Sequence, residues 1–134
     1  MKSKIYITGA AGFIGFHTAK KFLDKGIKVH GFDSINNYYD VRLKINRLNI
    51  LKKYKNFSFT KGLLENQKLL NKSVLKFKPI IMIHLAAQAG VRYSIGNPDA
   101  YLSSNIMGTF NIIKIANKIK VKHLIIGSSS SVYG

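Results

Sequence analysis

The sequence predicts an α/β fold in which a parallel β-sheet is covered by helices. Three observations support this prediction. Short segments rich in β-branched and apolar residues alternate with longer segments of helical periodicity. Two of the short segments, residues 80–85 and 123–127, are nearly all apolar, as parallel strands covered on both faces must be. A glycine-rich turn between Gly9 and Gly15 joins the first short segment to the first helical one.

The composition fits a single domain, residues 1–134. Hydrophobic residues make up 46% of the chain and aromatic residues 11%, which is enough to build a core. Cysteine is absent, which excludes disulfides and thiolate metal sites, and no metal is expected. The N-terminus carries neither a targeting signal nor a membrane span. We therefore expect a soluble, cytoplasmic protein without a membrane partner.

The charge is strongly positive. Lysine and arginine number 22 against five acidic residues, which gives a net charge of +17. The basic residues are scattered over every predicted helix and form no stripe with interleaved aromatic residues. This pattern favours a solvated basic surface over a nucleic-acid site, and an anionic small-molecule substrate fits the charge equally well. No nucleic-acid partner is expected.

The first elements surround the glycine turn. Residues 5–8 are predicted to form a strand and residues 13–25 a helix, which Gly26 ends. The predicted apolar face of this helix consists of Phe13, Ile14, Ala19 and Phe22. Residues 27–32 are predicted to form the second strand.

The remaining elements repeat the alternation. The predicted helices are residues 39–54, 65–77 and 98–118, and the predicted strands are residues 57–60, 80–85 and 123–127. The apolar face of the last helix is predicted at Leu102, Ile106, Phe110 and Ile113. Five strands and four helices match most of a Rossmann-type doubly wound sheet with strand order 3-2-1-4-5.

The glycine turn has the spacing G-x-x-G-x-x-G. Gly9 would permit the tight turn, Gly12 a close approach of the backbone to a pyrophosphate, and Gly15 close packing of the helix near the sheet. The N-terminus of the following helix would attract the phosphates. A strand-to-helix turn without a ligand is the alternative.

Asp33 favours the dinucleotide interpretation. It stands at the end of the second strand, 18 residues after Gly15, where a carboxylate can accept hydrogen bonds from the adenosine ribose hydroxyls. The same charge repels the 2′-phosphate of NADP, so the expected cofactor is NAD. The alternative is a turn residue, because the segment "DSINN" is rich in turn formers.

The segment "TGAAGFIG" resembles the extended short-chain dehydrogenase/reductase superfamily. Within it the chain is most similar to NAD-dependent nucleotide-sugar epimerases and dehydratases, and especially to UDP-glucuronate 4-epimerases. Three segments carry this resemblance: "NNYYDVRLK" (36–44), "HLAAQAGVRYS" (84–94) and "SSSSVYG" (128–134). The segment "SNIMGTFNII" (104–113) supports the wider family.

The resemblance implies roles for the matching positions. Further cofactor-binding residues would be Phe13, Ile14, Leu64, Leu85, Ala86, Ala87 and Asn105. Arg92 would meet the glucuronate carboxylate or the diphosphate, although an exposed loop arginine is an equal alternative. For Asn105 the alternative is a satisfied polar residue on a helix surface. His84 is expected at the edge of the core and not as a base, since it has no visible partner in the sequence.

One position departs from the family. The family has an aspartate after the glycine that follows the third strand, and its side chain accepts from the adenine amino group. Here Leu63 occupies that place, after Gly62. The loss of one hydrogen bond would weaken NAD binding by about 1 kcal/mol. The departure bears on affinity and not on the fold.

The serines near the C-terminus match the family's catalytic hydroxyl. The resemblance implies that Ser129 binds the sugar 4-hydroxyl and that Ser130 and Ser131 contact the sugar or its carboxylate. The alternative is that they satisfy backbone groups of a turn. The family's Tyr-x-x-x-Lys acid–base pair is missing, because no tyrosine of this sequence has a lysine four residues later.

We therefore expect residues 1–134 to be the N-terminal part of a longer enzyme. The complete enzyme would bind a nucleotide sugar and form a homodimer. That enzyme would interconvert UDP-glucuronate and UDP-galacturonate through a 4-keto intermediate, while residues 1–134 alone would be inactive. Alternatives are another nucleotide-sugar epimerase or dehydratase, acting on UDP-glucose or a dTDP-sugar, and a non-catalytic nucleotide-binding module. The apolar fourth and fifth strands, left bare, would favour self-association.

Overall fold

A computed structural model describes residues 3–134 as one five-stranded parallel sheet with helices on both faces. The strand order is β3-β2-β1-β4-β5, which confirms the predicted Rossmann-type α/β fold. The strands are β1 (Lys4–Thr8), β2 (Lys28–Asp33), β3 (Phe57–Lys61), β4 (Ile81–His84) and β5 (His123–Ile126). The helices are α1 (Phe13–Asp24), α2 (Val41–Leu51), α3 (Gln67–Phe77), α4 (Val91–Gly96), α5 (Pro98–Tyr101) and α6 (Gly108–Ile119).

Strand β1 lies at the centre of the sheet, and its two faces belong to two hydrophobic clusters. Ile5 and Ile7 pack against one cluster, which includes Phe16 and Leu23 of α1. Tyr6 points to the other face, into a cluster that contains Leu70 of α3 and Ile112 of α6 among its members. A parallel strand with both faces covered is nearly all apolar, and the middle of β1, residues 5–7, is buried on both faces accordingly.

The predicted apolar face of the first helix is wrong in its first turn. Phe13 and Ile14 are each 65% exposed, while the buried residues of α1 are Gly15, Phe16, Ala19 and Leu23. The position of Gly15 explains the rotation, since a Cβ built there would lie 2.0 Å from the Gly9 carbonyl oxygen. The helix therefore turns its glycine toward the sheet and leaves Phe13 and Ile14 outside.

The helical segment from residue 98 to residue 119 differs from its prediction in two ways. A π-helical stretch, Leu102–Met107, separates α5 from α6. The predicted apolar row, Leu102, Ile106, Phe110 and Ile113, is exposed, and the buried face is Gly108, Asn111, Ile112, Ile115 and Ala116.

Contacts with Leu64 explain which face of α6 is buried. The carbonyl of Leu64 accepts a hydrogen bond from Asn111 Nδ2 at 2.9 Å. A Cβ built at Gly108 would lie 2.7 Å from Leu64 Cβ, so only glycine permits this approach. The helix carries apolar residues on two faces, and these long-range contacts decide between them.

Strand β5 also differs from its prediction. Among residues 3–134 it pairs only with β4, at the edge of the sheet, and Ile125 and Ile126 are exposed. The expectation that β5 is covered on both faces is therefore wrong for this chain. The expectation that β4 is bare is wrong as well, because Met82, Ile83 and His84 are buried between their neighbours.

The short helix α4 was not predicted, since its sequence lacks a helical apolar pattern. None of the helices in residues 3–134 combines the length and the hydropathy that are needed to span a bilayer.

Candidate functional site

The candidate site is a cleft at the carboxyl edge of the sheet, where β1, β2, β3 and β4 end. The cleft has a cavity volume of about 180 Å³ and is open to solvent on one side. The predicted cofactor residues among its lining are Gly9, Gly12, Asp33, Leu64, Leu85, Ala86 and Ala87. In open parallel sheets, ligands bind outside the carboxyl ends of the strands.

The glycine turn forms the floor of this cleft. Gly9 has a φ of +74°, and a Cβ built on it would lie 2.8 Å from the backbone nitrogen of Ala86. Its amide donates to the carbonyl of Phe32 at 2.8 Å, which ties the turn to β2. Only glycine combines this left-handed conformation with such close contact to β4.

The N-terminus of α1 opens directly after this turn. Its N-cap is Gly12, no side chain caps it, and its first turn contains no acidic residue. The first amides of a helix have no partner within the helix and carry a partial positive charge. Phe13 and Ile14 are thus exposed residues whose amides are placed to bind an anion such as a diphosphate.

Asp33 is buried and holds the turn together. Its Oδ2 accepts from the amide of Ala11 at 3.0 Å, and its Oδ1 accepts from the amide of Ile35 at 2.9 Å. The bond from Ile35 is a turn contact, which is the alternative role of Asp33 in the segment "DSINN". A carboxylate offers about four acceptor positions, so two remain for a ligand in the cleft.

Lys44 is a site residue that the sequence analysis missed. Its side chain is 6% exposed, lines the cleft, and donates to the carbonyl and the side-chain oxygen of Asn36. Burial lowers the pKa of Lys44, and the nearby carboxylate of Asp33 acts in the opposite direction. The helical spacing of the sequence indicates its burial, because Lys44 lies on the same face of α2 as Leu48 and Leu51, the other two buried residues of that helix.

The side of the cleft beyond Asp33 is formed by residues 62–65. The amide of Gly62 donates to the carbonyl of Asp33 at 3.0 Å, which joins this segment to β2. Leu63, the residue that departs from the family pattern, lines the cleft with a half-exposed side chain. Leu64 is buried and lies beside it, held by the bond from Asn111.

A hydrogen-bond network fixes the end of β4. The hydroxyl oxygen of Thr8 accepts from the amides of Leu85 and Ala86, both at 3.1 Å. Its hydrogen is therefore free to be donated to His84 Nδ1 at 2.7 Å, and Nε2 then donates to the hydroxyl of Thr109 at 2.9 Å. The expectation that His84 lacks a partner is wrong.

His84 is accordingly part of the framework. Burial lowers its pKa to about 4, so the ring is neutral near pH 7. With both ring nitrogens engaged, it positions the backbone of residues 85–86 along the cleft and has no free atom to act as a base.

Asn105 stands in the π-helical stretch and contacts the same loop. Its Oδ1 accepts from the amide of Gln88 at 2.7 Å, and its Nδ2 donates to the carbonyl of Gln88 at 3.1 Å. Both polar atoms of the side chain thus bind backbone. Its neighbour Ser104 also lines the cleft, at a position that no motif in the sequence marks.

The predicted substrate residues are not among the residues that line the cleft. Ser129 caps the short 3₁₀ turn Ser130–Tyr133, and its Oγ accepts from the amide of Ser131 at 3.1 Å. Ser130, Ser131 and Arg92 are exposed. The serine run nevertheless starts beside the end of β4, because the amide of Gly127 donates to the carbonyl of His84 at 2.9 Å.

Comparisons with known proteins agree with this geometry. The family model described as GDP-mannose 4,6 dehydratase matches residues 6–134. The chain is 48% identical to a probable UDP-glucuronate 4-epimerase of Rhizobium meliloti, over 96% of this chain and 38% of that protein. It is 52% identical to protein CapI of Staphylococcus aureus, over 98% of this chain and 39% of that protein. The chain thus spans about two fifths of the length of these relatives.

Solved structures give the same result. A mutant UDP-glucuronic acid 4-epimerase from Bacillus cereus, in complex with NAD and UDP-4-deoxy-4-fluoro-glucuronic acid, superposes with a TM-score of 0.85. It is 34% identical, and the match covers 98% of this chain and 41% of that one. UDP-glucose 4-epimerase from Bifidobacterium longum, in complex with NAD+ and UDP, is 30% identical with a TM-score of 0.83, over 98% and 38% of the two chains.

Proposed function

The chain belongs to the GDP-mannose 4,6-dehydratase family, and we propose that it is the NAD-binding part of a UDP-glucuronate 4-epimerase. The observation that carries this proposal is the meeting of the glycine turn, the Asp33 carboxylate and the end of β4 in one cleft. The identity to a probable UDP-glucuronate 4-epimerase supports the choice of substrate. Such an enzyme interconverts UDP-glucuronate and UDP-galacturonate through a transient 4-keto sugar.

The residues present fit NAD. The uncapped start of α1 offers amides to the diphosphate, and Gly9 lets the turn lie close against the backbone of Ala86. Ala86 and Ala87 are small enough for a flat ligand to approach the backbone. Bound there, NAD supplies a reversible hydride acceptor for C4 of the sugar. The family resemblance adds Phe13, Ile14 and Asn105 to the proposed cofactor residues, the last through the Gln88 backbone.

The substrate roles are proposed from the resemblance. Ser129 is the hydroxyl that binds the sugar 4-hydroxyl, and it can still donate while it accepts from Ser131. Ser130, Ser131 and Arg92 are exposed, and we assign them to the sugar and its carboxylate.

Residues 1–134 contain no Tyr-x-x-x-Lys pair, so we propose that turnover needs an acid–base pair from outside them. We accordingly expect the 134-residue chain with NAD and UDP-glucuronate to form no UDP-galacturonate, measured by chromatography of the nucleotide sugars. Formation of UDP-galacturonate at a rate that depends on NAD would contradict this.

A second candidate is a related enzyme that acts on UDP-glucose. The similarity to a UDP-glucose 4-epimerase structure is the observation that favours it. Titration of UDP-glucuronate and UDP-glucose into the NAD-loaded chain separates the two. We expect tighter binding of UDP-glucuronate, and a loss of that preference in Arg92→Met. Equal affinities would favour the second candidate or a non-catalytic nucleotide-binding module.

The central experiment is a calorimetric titration of NAD and NADP into the wild-type chain and Asp33→Ala. We expect the wild type to prefer NAD by at least tenfold and Asp33→Ala to lose most of that preference, because the variant removes the charge that repels a 2′-phosphate. The exposed Asp99→Ala is the matched control and keeps the preference. A wild type that binds both cofactors equally contradicts the ribose role of Asp33.

We propose that the complete enzyme is a cytoplasmic homodimer. The exposed apolar row Leu102, Ile106, Phe110 and Ile113 supports association, since a continuous apolar surface of this kind is unusual on a monomer. Sedimentation at increasing concentration, with Phe110→Lys as the comparison, measures its contribution.

A further inference from the structure

The turns that lead from a helix into the next strand gather lysine residues at one edge of the sheet. In a parallel sheet with crossover helices, these turns all lie at the amino ends of the strands, opposite the cleft. The four helices that lead into β2, β3, β4 and β5 all end in an exposed lysine at the C-cap: Lys25, Lys52, Lys78 and Lys120.

More exposed lysines lie in the same turns or begin the strand that follows: Lys28, Lys53, Lys55 and Lys122. We call the surface formed by these residues and the C-cap lysines the lysine edge. Along the chain its members are far apart, which is why the sequence shows them as scattered. The parallel topology brings them to one end of the domain.

The acidic residues are concentrated at the opposite edge. Four of the five lie at or beyond the carboxyl ends of β2, β3 and β4: Asp33, Asp40, Glu65 and Asp99. The fifth, Asp24, lies at the end of α1, where it binds Lys20 Nζ at 2.9 Å and the hydroxyl of Tyr54. Within residues 3–134 the ion pairs are Lys20–Asp24 and Arg42–Asp40, so neither involves the lysine edge.

Two of the C-cap lysines adopt a backbone conformation that favours glycine. The φ of Lys78 is +54° and that of Lys120 is +52°, whereas the turn after α1 uses Gly26, with a φ of +75°. Glycine would avoid the steric cost of a Cβ there. A helix dipole attracts a cation to the last turn, but α3 and α6 already have Lys76 and Lys118 in that turn. The lysine side chains at these caps therefore indicate a partner outside the helices.

The residue types of the lysine edge favour a lipid surface over a nucleic acid. Nucleic-acid sites combine basic residues with exposed aromatic rings that stack on bases, and arginine contributes strongly. The arginines of the chain lie outside these turns, and so do the exposed tyrosines and phenylalanines of residues 3–134. Clusters of lysine without aromatic residues are typical of surfaces that bind anionic phospholipids.

An apolar cavity opens beside Lys78, between the ends of α3 and α6. Its volume is about 300 Å³, and its other lining residues are Val74, Leu75, Pro79 and Ile119. The side chain of Leu75 is 42% exposed there. A phospholipid offers a phosphate to the lysines and an aliphatic chain to such a cavity, whereas a nucleic acid offers no aliphatic chain.

We propose that the lysine edge docks the domain on a membrane surface that contains anionic phospholipids. The inference goes beyond the proposed function, because the lysine edge lies at the other end of the strands from the NAD cleft. It also departs from the expectation of no membrane partner, which was drawn from the N-terminal sequence. The contact needs no inserted helix, since a lysine is attracted within about one Debye length of an anionic surface.

The test is co-sedimentation of the 134-residue chain with vesicles. One set contains equal parts of phosphatidylglycerol and phosphatidylcholine, and the other contains phosphatidylcholine alone. Both are measured at about 50 mM and about 500 mM salt, because salt screens the attraction. Tubes without lipid measure the protein that sediments through self-association.

Two triple variants separate the lysine edge from net charge. The edge variant combines Lys55→Gln, Lys78→Gln and Lys120→Gln. The control variant combines the same substitution at three exposed lysines outside the lysine edge: Lys61, Lys68 and Lys72. Each variant loses three positive charges, and circular dichroism establishes that each is folded.

We expect the wild-type chain to bind the phosphatidylglycerol vesicles at low salt, and to lose most of this binding at high salt. The edge variant should bind about a hundredfold more weakly, since each lysine near an anionic surface contributes about fivefold in affinity. The control variant should stay within about threefold of the wild type.

The other outcomes overturn the proposal. Similar losses in the two variants would mean that net charge, and not the lysine edge, attracts the vesicles. Equal binding to both vesicle types, or none to either, would exclude an anionic lipid as the partner. A single-stranded RNA oligonucleotide that displaces the chain from the vesicles and binds the edge variant poorly would assign the lysine edge to nucleic acid. Each of these results would leave the proposed NAD site in place.

Discussion

Strands β4 and β5 pair residue by residue, but they lie in opposite environments. Ile83 of β4 pairs with Ile125 of β5, and the two isoleucines are 7% and 50% exposed. Strand β4 has neighbours on both edges, whereas β5 has β4 on one edge only. The cofactor side of the cleft is built on the buried strands, and the proposed substrate serines, residues 129–131, follow the exposed one. An apolar sequence therefore identifies a strand, but its burial depends on the elements that cover it.

The largest expected effect is at the glycine turn on the buried side. Gly15→Ala places a Cβ 2.0 Å from the Gly9 carbonyl oxygen, which is backbone and cannot move aside. We expect a loss of more than about 3 kcal/mol in the free energy of unfolding, measured with urea. Gly96→Ala is the matched control, because a Cβ there meets nothing within 4 Å. Similar stabilities of the two variants would show that the turn is not tightly packed.

The buried histidines give the second effect. Burial lowers the pKa of His30 and of His84 to about 4, below the unfolded value of 6.5. Between these values the unfolded chain binds more protons, so stability is complete above about pH 6.5 and falls as the pH drops to 4. The expected loss is on the order of 3 kcal/mol for each histidine.

Urea midpoints between pH 7 and pH 4 measure this loss. The double variant of His30→Gln and His84→Gln is expected to have a distinctly shallower pH dependence than the wild type. The acidic residues are the same in both proteins, so their contribution cancels. Parallel pH profiles would mean that the two rings are not buried in neutral form.

The third prediction compares the stability lost on truncating each of the paired isoleucines. Ile83→Ala should cost about 2–5 kcal/mol, because it leaves a cavity in a packed region. Ile125→Ala should cost less than about 1 kcal/mol, because half of its side chain is already in water. Thermal unfolding of both variants at one concentration provides the comparison. A large cost at Ile125 would indicate that β5 is covered in solution, for example by a second copy of the chain.

The smallest effect concerns the loop that follows β4. Asn105→Ala removes the partners of the Gln88 amide and carbonyl, which should cost about 1–2 kcal/mol. Hydrogen exchange at the Gln88 amide should accelerate. Asn49→Ala, an exposed position on α2, serves as the control. Unchanged exchange at Gln88 would show that the loop is held by other contacts, such as those of Thr8.

Self-association of the chain would reduce the difference in exposure between β4 and β5. The exposed side chains of β5 and the apolar row on the π-helical stretch and α6 favour it. Size-exclusion chromatography that gives a stable monomer would contradict the expectation drawn from the sequence.

The sequence by itself determined the order and type of the main elements, the glycine turn and the position of Asp33. These features follow from local periodicity and from short-range steric limits, which the chain carries in its own order of residues. Only the tertiary structure decided which of two apolar faces of α6 is buried, because Gly108 and Asn111 are selected by Leu64, more than 40 residues away. It likewise gave His84 its two partners, Thr8 and Thr109. Such choices depend on contacts between distant segments, and no local pattern records them.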